Sequence, residues 1–338
     1  MKTLIVAPSW VGDAVMSQPL LARLAATGCR PIDVLAPGWV LPVYRRMAEV
    51  GDTIASPFAH GELSLKARWR LARELSSRGY ERAVVLPNSL KSALVPFMAG
   101  IPQRVGFTGE MRLGVVNCRH VLDKQALPLM VERFAMLAEK PGTPGAALPR
   151  PVPHPRLLSS SGQQDATLAA IGRSRPARLA VLCPGAEYGP AKRWPTRHFA
   201  ELARLLASRG TTVWALGSPK DKEFGSAIAS ESGGACTDLC GNTTLEQAID
   251  LMAMADVAVC NDSGLMHVAA AVGRPLVAIF GSSSPGFTPP LSERAEIVSL
   301  KLSCSPCFKR TCPLGHLDCL NHLEPQRVLA AIGTALPT

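Results

Sequence analysis

The sequence has few aromatic side chains and no apolar run long enough to span a bilayer. Aromatic residues make up 5% of the 338 residues, and no uninterrupted apolar run approaches the roughly 18 to 20 residues of a membrane-spanning helix. Pro8, Trp10 and Asp13 interrupt the first apolar stretch before the hydrophobic segment of a signal peptide could form. We therefore expect a cytoplasmic protein that contacts a membrane, if at all, from the inside.

A glycine-rich dinucleotide fingerprint is also missing. No G-x-G-x-x-G follows any predicted strand, which argues against a nicotinamide dehydrogenase. The stretch APSWVGDAVMSQPLLARL, residues 7–24, stands where such a turn would be placed, but its single glycine, Gly12, is followed by the carboxylate of Asp13. A basic nucleic-acid-binding protein is the non-catalytic alternative, and the sequence lacks the aromatic stacking platforms and clustered basic runs of that class.

The ten cysteines fall into two groups. Six are scattered in mostly apolar surroundings and are predicted to be buried thiols: Cys29, Cys118, Cys183, Cys236, Cys240 and Cys260. The other four lie close together, with His316 and His322 nearby: Cys304, Cys307, Cys312 and Cys319. Four thiolates would make a closed structural zinc site, but a second C-x2-C pair is missing. A zinc site, a disulfide and unligated thiols therefore remain open alternatives, and a catalytic metal is not expected.

Strand and helix patterns alternate along the chain, with one interruption. Short apolar runs such as KTLIVAP alternate with amphipathic stretches such as SLKARWRLARELSSRG, which indicates parallel sheets with crossover helices. Residues 140–162 contain six prolines and predict a linker. Two similar α/β domains, residues 1–160 and 161–338, are therefore predicted, with a cleft where the carboxyl ends of both sheets meet.

Positive charge is concentrated in the first half of the chain. The net charge is +10, of which residues 1–165 carry +8. This half either faces an anionic partner or has an ordinary solvated basic surface.

Three loops in the second half carry residues suited to a phosphorylated ligand. CPGAEYGPAKRWP holds Glu187 and Lys192, and this lysine either neutralises a phosphate or lies in an ordinary exposed loop. In VAVCNDSGLMH, Asp262 or Ser263 is expected to cap a helix whose first turn forms an anion site. Glu223, in the loop LGSPKDKEFG, either binds a ribose or marks a charged helix start.

Taken in order, four motifs closely resemble the ADP-heptose:lipopolysaccharide heptosyltransferases of glycosyltransferase family 9. They are PSWVGDAVMSQPLL, CPGAEYGPAKRWP, NDSGLMHVAAAVGRPLVAIFGSSSPGFTPPLS and CSPCFKRTCPLGHLDCL. The resemblance implies an α/β fold of the GT-B type, with two Rossmann-like domains whose parallel sheets face each other across a cleft. It also implies an inverting transfer without a metal cofactor, with ADP-heptose as the donor substrate.

The resemblance is strongest to members that add heptose to an acceptor already carrying one heptose. Transfer to a heptose-free Kdo-lipid A acceptor is the alternative within the family. A nucleotide-sugar epimerase of the same fold is a second alternative, which would act on its sugar nucleotide with no acceptor present.

The resemblance also implies roles for residues of both domains. Asp13 matches the proposed general base, and Lys192 matches the lysine that stabilises the ADP leaving group. Asp13 as a mere helix N-cap remains the alternative. The implied donor-binding residues are Glu187, Glu223, Thr243, Thr244, Asp262, Ser263, Gly264 and His267. Asp262 is expected to bind sugar hydroxyls, while Lys192 and backbone N–H groups meet the phosphates; His267 either faces a phosphate or is a packing histidine.

The implied acceptor is a phosphorylated, lipid-linked core oligosaccharide at the inner leaflet. Its negative charge fits the basic first half, and we expect an acceptor-side surface at Gly12, Lys66, Arg68, Arg70 and Arg73. A solvated helix is the alternative for these cations, and the helix with Trp69 is a candidate for membrane contact. We accordingly expect a monomer, peripheral to the inner face of the inner membrane, with no nucleic-acid partner.

Overall fold

A computed structural model describes residues 1–58 and 62–335, and the chain divides into two compact units, Met1–Pro155 and Arg156–Thr338. The division falls before the boundary expected at residue 160. The Leu157 N–H donates to the Ala271 carbonyl at 3.0 Å, and the Ser159 hydroxyl donates to Asp250 at 2.7 Å. These bonds attach the segment after the linker to the second unit.

The first unit is a six-stranded parallel sheet with helices in its connections. Its strands are β1 Thr3–Val6, β2 Ile32–Ala36, β3 Val50–Ala55, β4 Arg82–Val85, β5 Gln103–Phe107 and β6 Cys118–His120. Its helices are α1 Val11–Met16, α2 Gln18–Ala26, α3 Leu41–Arg45, α4 Leu65–Ser76, α5 Leu90–Met98 and α6 Met130–Met136. The strand order is β3-β2-β1-β4-β5-β6.

The second unit repeats this plan. Its strands are β7 Leu179–Cys183, β8 Thr212–Ala215, β9 Cys236–Asp238, β10 Val257–Asn261, β11 Leu276–Ile279 and β12 Ala295–Val298, in the order β12-β11-β10-β7-β8-β9. Its helices are α7 Ser161–Ala170, α8 Thr196–Ala207, α9 Lys222–Glu231, α10 Leu245–Met254, α11 Gly264–Ala271, α12 Asp318–Asn321 and α13 Pro325–Ala335. Single 3-10 turns occur at Gly145–Ala147, Pro190–Lys192 and Pro219–Asp221.

The apolar patterns of the sequence explain both cores. Every residue of β1 and of β7 is buried, as expected for central parallel strands covered on both faces. Helix α8 buries Phe199, Leu202 and Leu206, which recur at helical spacing and pack against the second sheet. The expected α/β architecture, with two Rossmann-like units of parallel strands, is confirmed.

Each sheet has one point where the strand order reverses. In the first unit this point lies between β1 and β4, and in the second it lies between β7 and β10. Loops leaving the carboxyl ends of two such strands diverge to opposite faces and open a crevice for ligands. Asp13 lies in α1, which follows β1 after a short loop, while the loops after β7 and β10 carry Lys192 and Asp262.

Candidate active site

An ion pair joins the two loops at the strand-order reversal of the second unit. The Lys192 ammonium, in the 3-10 turn after β7, lies 2.5 Å from the Asp262 carboxylate, which directly follows β10. The Asp262 side chain is only 4% exposed, against 17% for Lys192. Two motifs from distant parts of the chain therefore meet here, and the charge of Lys192 is already balanced in part by Asp262.

Asn261 holds the same two loops together, a role that the sequence analysis missed. Its side chain is fully buried at the end of β10. The amide oxygen accepts from the Trp194 N–H at 3.1 Å, and the amide nitrogen donates to the Pro184 carbonyl at 2.7 Å. The sequence did contain a signal for this role: Asn261 is the polar last residue of the otherwise apolar strand VAVCN, directly before Asp262.

Helix α11 begins beside the ion pair with its first turn uncapped. Ser263 is the N-cap residue, but its hydroxyl makes no capping hydrogen bond, and the Asp262 carboxylate pairs with Lys192 instead. The prediction that one of these side chains caps the helix is therefore wrong. The N–H groups from Gly264 onward lack a side-chain cap and suit an anion.

His267 lies on α11 next to the ion pair and is buried. Burial lowers the pKa of His267 to about 4; the positive charge of Lys192 adds to this effect, and the negative charge of Asp262 opposes it. The imidazole is therefore neutral at pH 7. It can donate or accept one hydrogen bond, but it supplies no positive charge to a phosphate.

Acidic side chains on the loops after β7 and β8 are exposed. The Glu187 carboxylate lies 2.5 Å from the Lys220 ammonium, and this hydrogen bond raises the pKa of Lys220. Glu223 is exposed in the first turn of α9, where the helix dipole favours a carboxylate. A role of either residue toward a sugar or ribose remains a prediction.

The two threonines before α10 differ in what their hydroxyls do. Thr244 is the N-cap of α10, and its hydroxyl accepts from the Gln247 N–H at 3.2 Å. The neighbouring Thr243 hydroxyl is buried and has no hydrogen-bond partner among residues 1–58 and 62–335. Neither threonine side chain is thus shown to face a ligand, and a donor-binding role for either residue remains a prediction.

Asp13 lies inside the first turn of α1, two residues after its start. The N-cap of α1 is Trp10, so the alternative that Asp13 merely caps this helix is wrong. Burial raises the pKa of Asp13 to about 6. The charge of Asp13 also acts on Tyr44: together with burial, it raises the pKa of the Tyr44 phenol. Asp13 is thus largely ionised at pH 7 but more basic than an ordinary aspartate.

The basic surface expected on α4 is present with one correction. Lys66, Arg70 and Arg73 are exposed, as predicted, but Arg68 is buried. The Arg68 guanidinium donates to the carbonyls of Glu62, Leu63 and Lys91 and stacks on the Phe58 ring at 3.8 Å. Arg68 belongs to the buried face of the helix, together with Leu71, Ala72 and Leu75, and cannot face an anion in solution.

The cysteines of the described residues are all free thiols. Five of the six scattered cysteines are buried as predicted, and Cys118 is half-buried. Among residues 1–58 and 62–335, no group of three or more His, Cys, Asp or Glu side chains is arranged to hold a metal ion. Cys304, Cys307, Cys312 and Cys319 form no disulfide in this structure. In the same ranges, no helix has both the length and the apolarity to cross a membrane.

A Rossmann-like unit with a lysine and an uncapped helix start at its strand-order reversal is typical of proteins that bind a phosphorylated ligand. Residues 68–318 match the model of glycosyltransferase family 9 (heptosyltransferase), and the chain belongs to this family. It is therefore a glycosyltransferase, as the sequence motifs predicted.

Two relatives of type 2 match nearly the whole chain, and a relative of type 1 matches about half of it. It is 47% identical over 343 residues to lipopolysaccharide heptosyltransferase 2 of Salmonella typhimurium, covering 99% of both chains. It is similar to the solved structure of the E. coli ADP-heptose lps heptosyltransferase II, with a TM-score of 0.90 and 44% identity over 99% of this chain and 98% of that one. Lipopolysaccharide heptosyltransferase 1 of Pseudomonas aeruginosa is 29% identical over 187 residues, 47% of this chain and 51% of that one.

Proposed function

We propose that this protein transfers heptose from ADP-heptose, with inversion, to a heptose already present in the lipopolysaccharide inner core. The observation that carries the proposal is the 47% identity over 99% of both chains to a type 2 enzyme. The match to a type 1 enzyme is weaker and covers less than half of the chain. Membership of a glycosyltransferase family also argues against the epimerase alternative.

The donor is proposed to bind at the strand-order reversal of the second unit. Its diphosphate would meet Lys192 and the uncapped N–H groups from Gly264 onward, which are both suited to negative charge. Asp262, already paired with Lys192, would hold that ammonium in place and accept from sugar hydroxyls. The neutral His267 would add one hydrogen bond.

Asp13 is proposed as the general base. The acceptor hydroxyl has a pKa far above 7, so its proton passes to the Asp13 carboxylate as the oxygen attacks the anomeric carbon. The bond from that carbon to the diphosphate breaks, and ADP leaves with the bonding electron pair. Lys192 stabilises the charge that develops on ADP. A base whose pKa is raised to about 6 accepts this proton more readily than an ordinary aspartate.

The choice of acceptor is tested directly with two acceptors that differ by one heptose. The purified protein is supplied with ADP-heptose and with an inner-core acceptor bearing either no heptose or one, and ADP release and product mass are measured. We expect transfer to the acceptor that carries one heptose. Transfer only to the heptose-free acceptor would establish type 1 activity instead, and turnover of ADP-heptose without any acceptor would support the epimerase.

Contact with the inner face of the membrane is proposed through α4. Lys66, Arg70 and Arg73 are exposed on this helix, and Leu65 and Trp69, one turn apart, are 50% and 54% exposed beside them. An apolar flank next to a row of cations is typical of helices that lie on anionic bilayers.

Sedimentation with vesicles tests this contact. We expect binding to vesicles containing anionic lipid and little binding to neutral phosphatidylcholine. The triple variant Lys66→Ala, Arg70→Ala, Arg73→Ala should lose most of the binding, because each basic residue near the surface contributes about 1 kcal/mol. The matched control removes three exposed arginines of the second unit, Arg173, Arg178 and Arg209. Equal losses in both triple variants would contradict a specific role of α4.

A further inference from the structure

The one cation so far assigned to the donor site is already paired with a carboxylate. The Lys192 ammonium lies 2.5 Å from the buried carboxylate of Asp262. The diphosphate of a nucleotide sugar carries two negative charges, and a third develops on ADP as the sugar departs. A cation without a carboxylate partner would therefore strengthen this site.

The cysteine-rich segment, residues 302–319, packs on the loop that carries Lys192. The Ala191 N–H donates to the Arg310 carbonyl at 3.0 Å, and the Tyr188 hydroxyl donates to the Phe308 carbonyl at 2.9 Å. A Cβ at Gly189 would lie 2.5 Å from the Arg310 carbonyl oxygen, so this close approach requires glycine. The backbone at Arg310 is therefore held against the loop that carries Lys192.

The same segment is also attached to the loop that follows β11. The Phe308 N–H donates to the Ser282 carbonyl at 2.7 Å, and the Ser305 hydroxyl donates to the Gly281 carbonyl. β11 is the neighbour of β10 in the sheet, so Gly281 and Ser282 leave the same carboxyl edge as Asp262. The segment thus spans from the end of β11 to the Lys192 loop along the edge where the donor is proposed to bind.

The side chain of Arg310 shares an aromatic ring with Lys192. The Arg310 guanidinium lies 5.3 Å from the centre of the Tyr188 ring, and the Lys192 ammonium lies 5.0 Å from the same centre. The two cationic groups are therefore no more than about 10 Å apart. Arg310 is exposed, and among residues 1–58 and 62–335 no carboxylate forms an ion pair with it.

We propose that Arg310 is a further donor-site residue, whose guanidinium binds the diphosphate of the nucleotide sugar together with Lys192. The inference rests on the proposed function, because it deepens the recognition of the same donor. A guanidinium presents two parallel N–H donors that match phosphate oxygens, which an ammonium cannot do. Two cations on one ring repel each other, and a diphosphate bound between them offsets this repulsion because it attracts both. Tyr188 holds both cations beside the anion through cation–π contacts.

Calorimetric titration of the full-length protein with ADP and with adenosine tests this assignment. Arg310→Gln keeps the backbone carbonyl that binds Ala191 but removes the charge, and we expect it to weaken ADP binding by about 10- to 100-fold. Adenosine affinity should stay within about twofold, since adenosine has no phosphate. Arg310→Lys should restore part of the ADP affinity, because lysine retains the charge but lacks the two parallel N–H donors of the guanidinium. Lys309→Gln, at the exposed neighbouring position, is the matched control and should bind ADP like the wild type.

The possible results separate this inference from the proposed function. Unchanged ADP affinity in Arg310→Gln, while the wild-type protein binds ADP and transfers heptose, would overturn the role of Arg310 alone. A raised KM for the phosphorylated acceptor with unchanged ADP affinity would also overturn it, and would assign Arg310 to an acceptor phosphate. A parallel loss of ADP and adenosine affinity, or a lowered melting temperature, would show a structural role. A wild-type protein without affinity for ADP would instead contradict the proposed function.

Discussion

Replacing Asp13 by asparagine is expected to lower kcat by about 100- to 10,000-fold, the usual contribution of a general base. Asparagine keeps the size and the polar end of the side chain but cannot accept the proton of the acceptor hydroxyl. Asp13 belongs to the first unit, and the residues proposed for the donor belong to the second. ADP affinity, measured by calorimetry, should therefore stay within about twofold of wild type while transfer is lost.

The pH profile gives this variant a second readout. The neutral carboxyl is inactive as a base, so kcat/KM of the wild type should fall as the pH drops below about 6, the pKa that burial gives to Asp13. The residual activity of Asp13→Asn should lack this acidic limb. Asp52→Asn, which alters an exposed aspartate of the same unit, is the control and should retain both the rate and the profile. Turnover of Asp13→Asn within a few-fold of wild type would show that Asp13 is not the base.

The architecture, and the strand ends that carry the proposed donor-site residues, could be predicted because their signals are local. Fully apolar runs become central strands wherever helices cover both faces of a parallel sheet, and loops at the carboxyl ends of such strands meet at one edge. Lys192 follows β7 and Asp262 follows β10. These two strands are neighbours in the sheet, and the two side chains lie 2.5 Å apart. The place of each residue just after its strand was enough to predict that both lie at the carboxyl edge of the sheet.

Arg68 and Arg310 show where such local reasoning stops. Arg68 is spaced with Leu71, Ala72 and Leu75 on one face of α4, but its burial depends on carbonyls that the surrounding backbone presents to the guanidinium. The contact between Arg310 and the Lys192 loop uses a backbone carbonyl, which every residue type possesses. The spacing of Arg68 places it on the buried face of α4, but the partners of its charge and the partner of the Arg310 carbonyl depend on the path of the backbone, which side-chain patterns do not encode.

The spacing of Cys304, Cys307, Cys312 and Cys319 directed the sequence analysis toward ligation of the sulfur atoms. In the structure, the visible contribution of this segment to the site comes from its backbone and from Arg310 between the cysteines. The segment spans from the end of β11 to the loop after β7, and so supports the residue that is proposed to stabilise ADP. The spacing of the cysteines identified this segment, but it could not reveal which of the segment's atoms contact the loop that carries Lys192.

Replacing Lys192 by alanine is expected to weaken ADP binding and to slow transfer, each by about 30-fold or more, since truncating one partner of a buried charge pair costs about 2–5 kcal/mol. Two effects add in this variant. The diphosphate loses a cation, and the buried Asp262 carboxylate is left without its partner beside the anion. Calorimetry with ADP and steady-state kinetics with both substrates measure the two losses separately.

The double variant Lys192→Ala, Asp262→Asn separates the two effects, because it removes the unpaired carboxylate together with the ammonium. If repulsion by Asp262 is part of the loss, the double variant should bind ADP more tightly than Lys192→Ala alone, which a double-mutant cycle quantifies. Lys220→Ala serves as the control: its ion pair with Glu187 is exposed, and such pairs contribute little. Wild-type kinetics in Lys192→Ala would remove this lysine from the site, while strictly additive losses in the cycle would show that the 2.5 Å pair does not couple the two residues in donor binding.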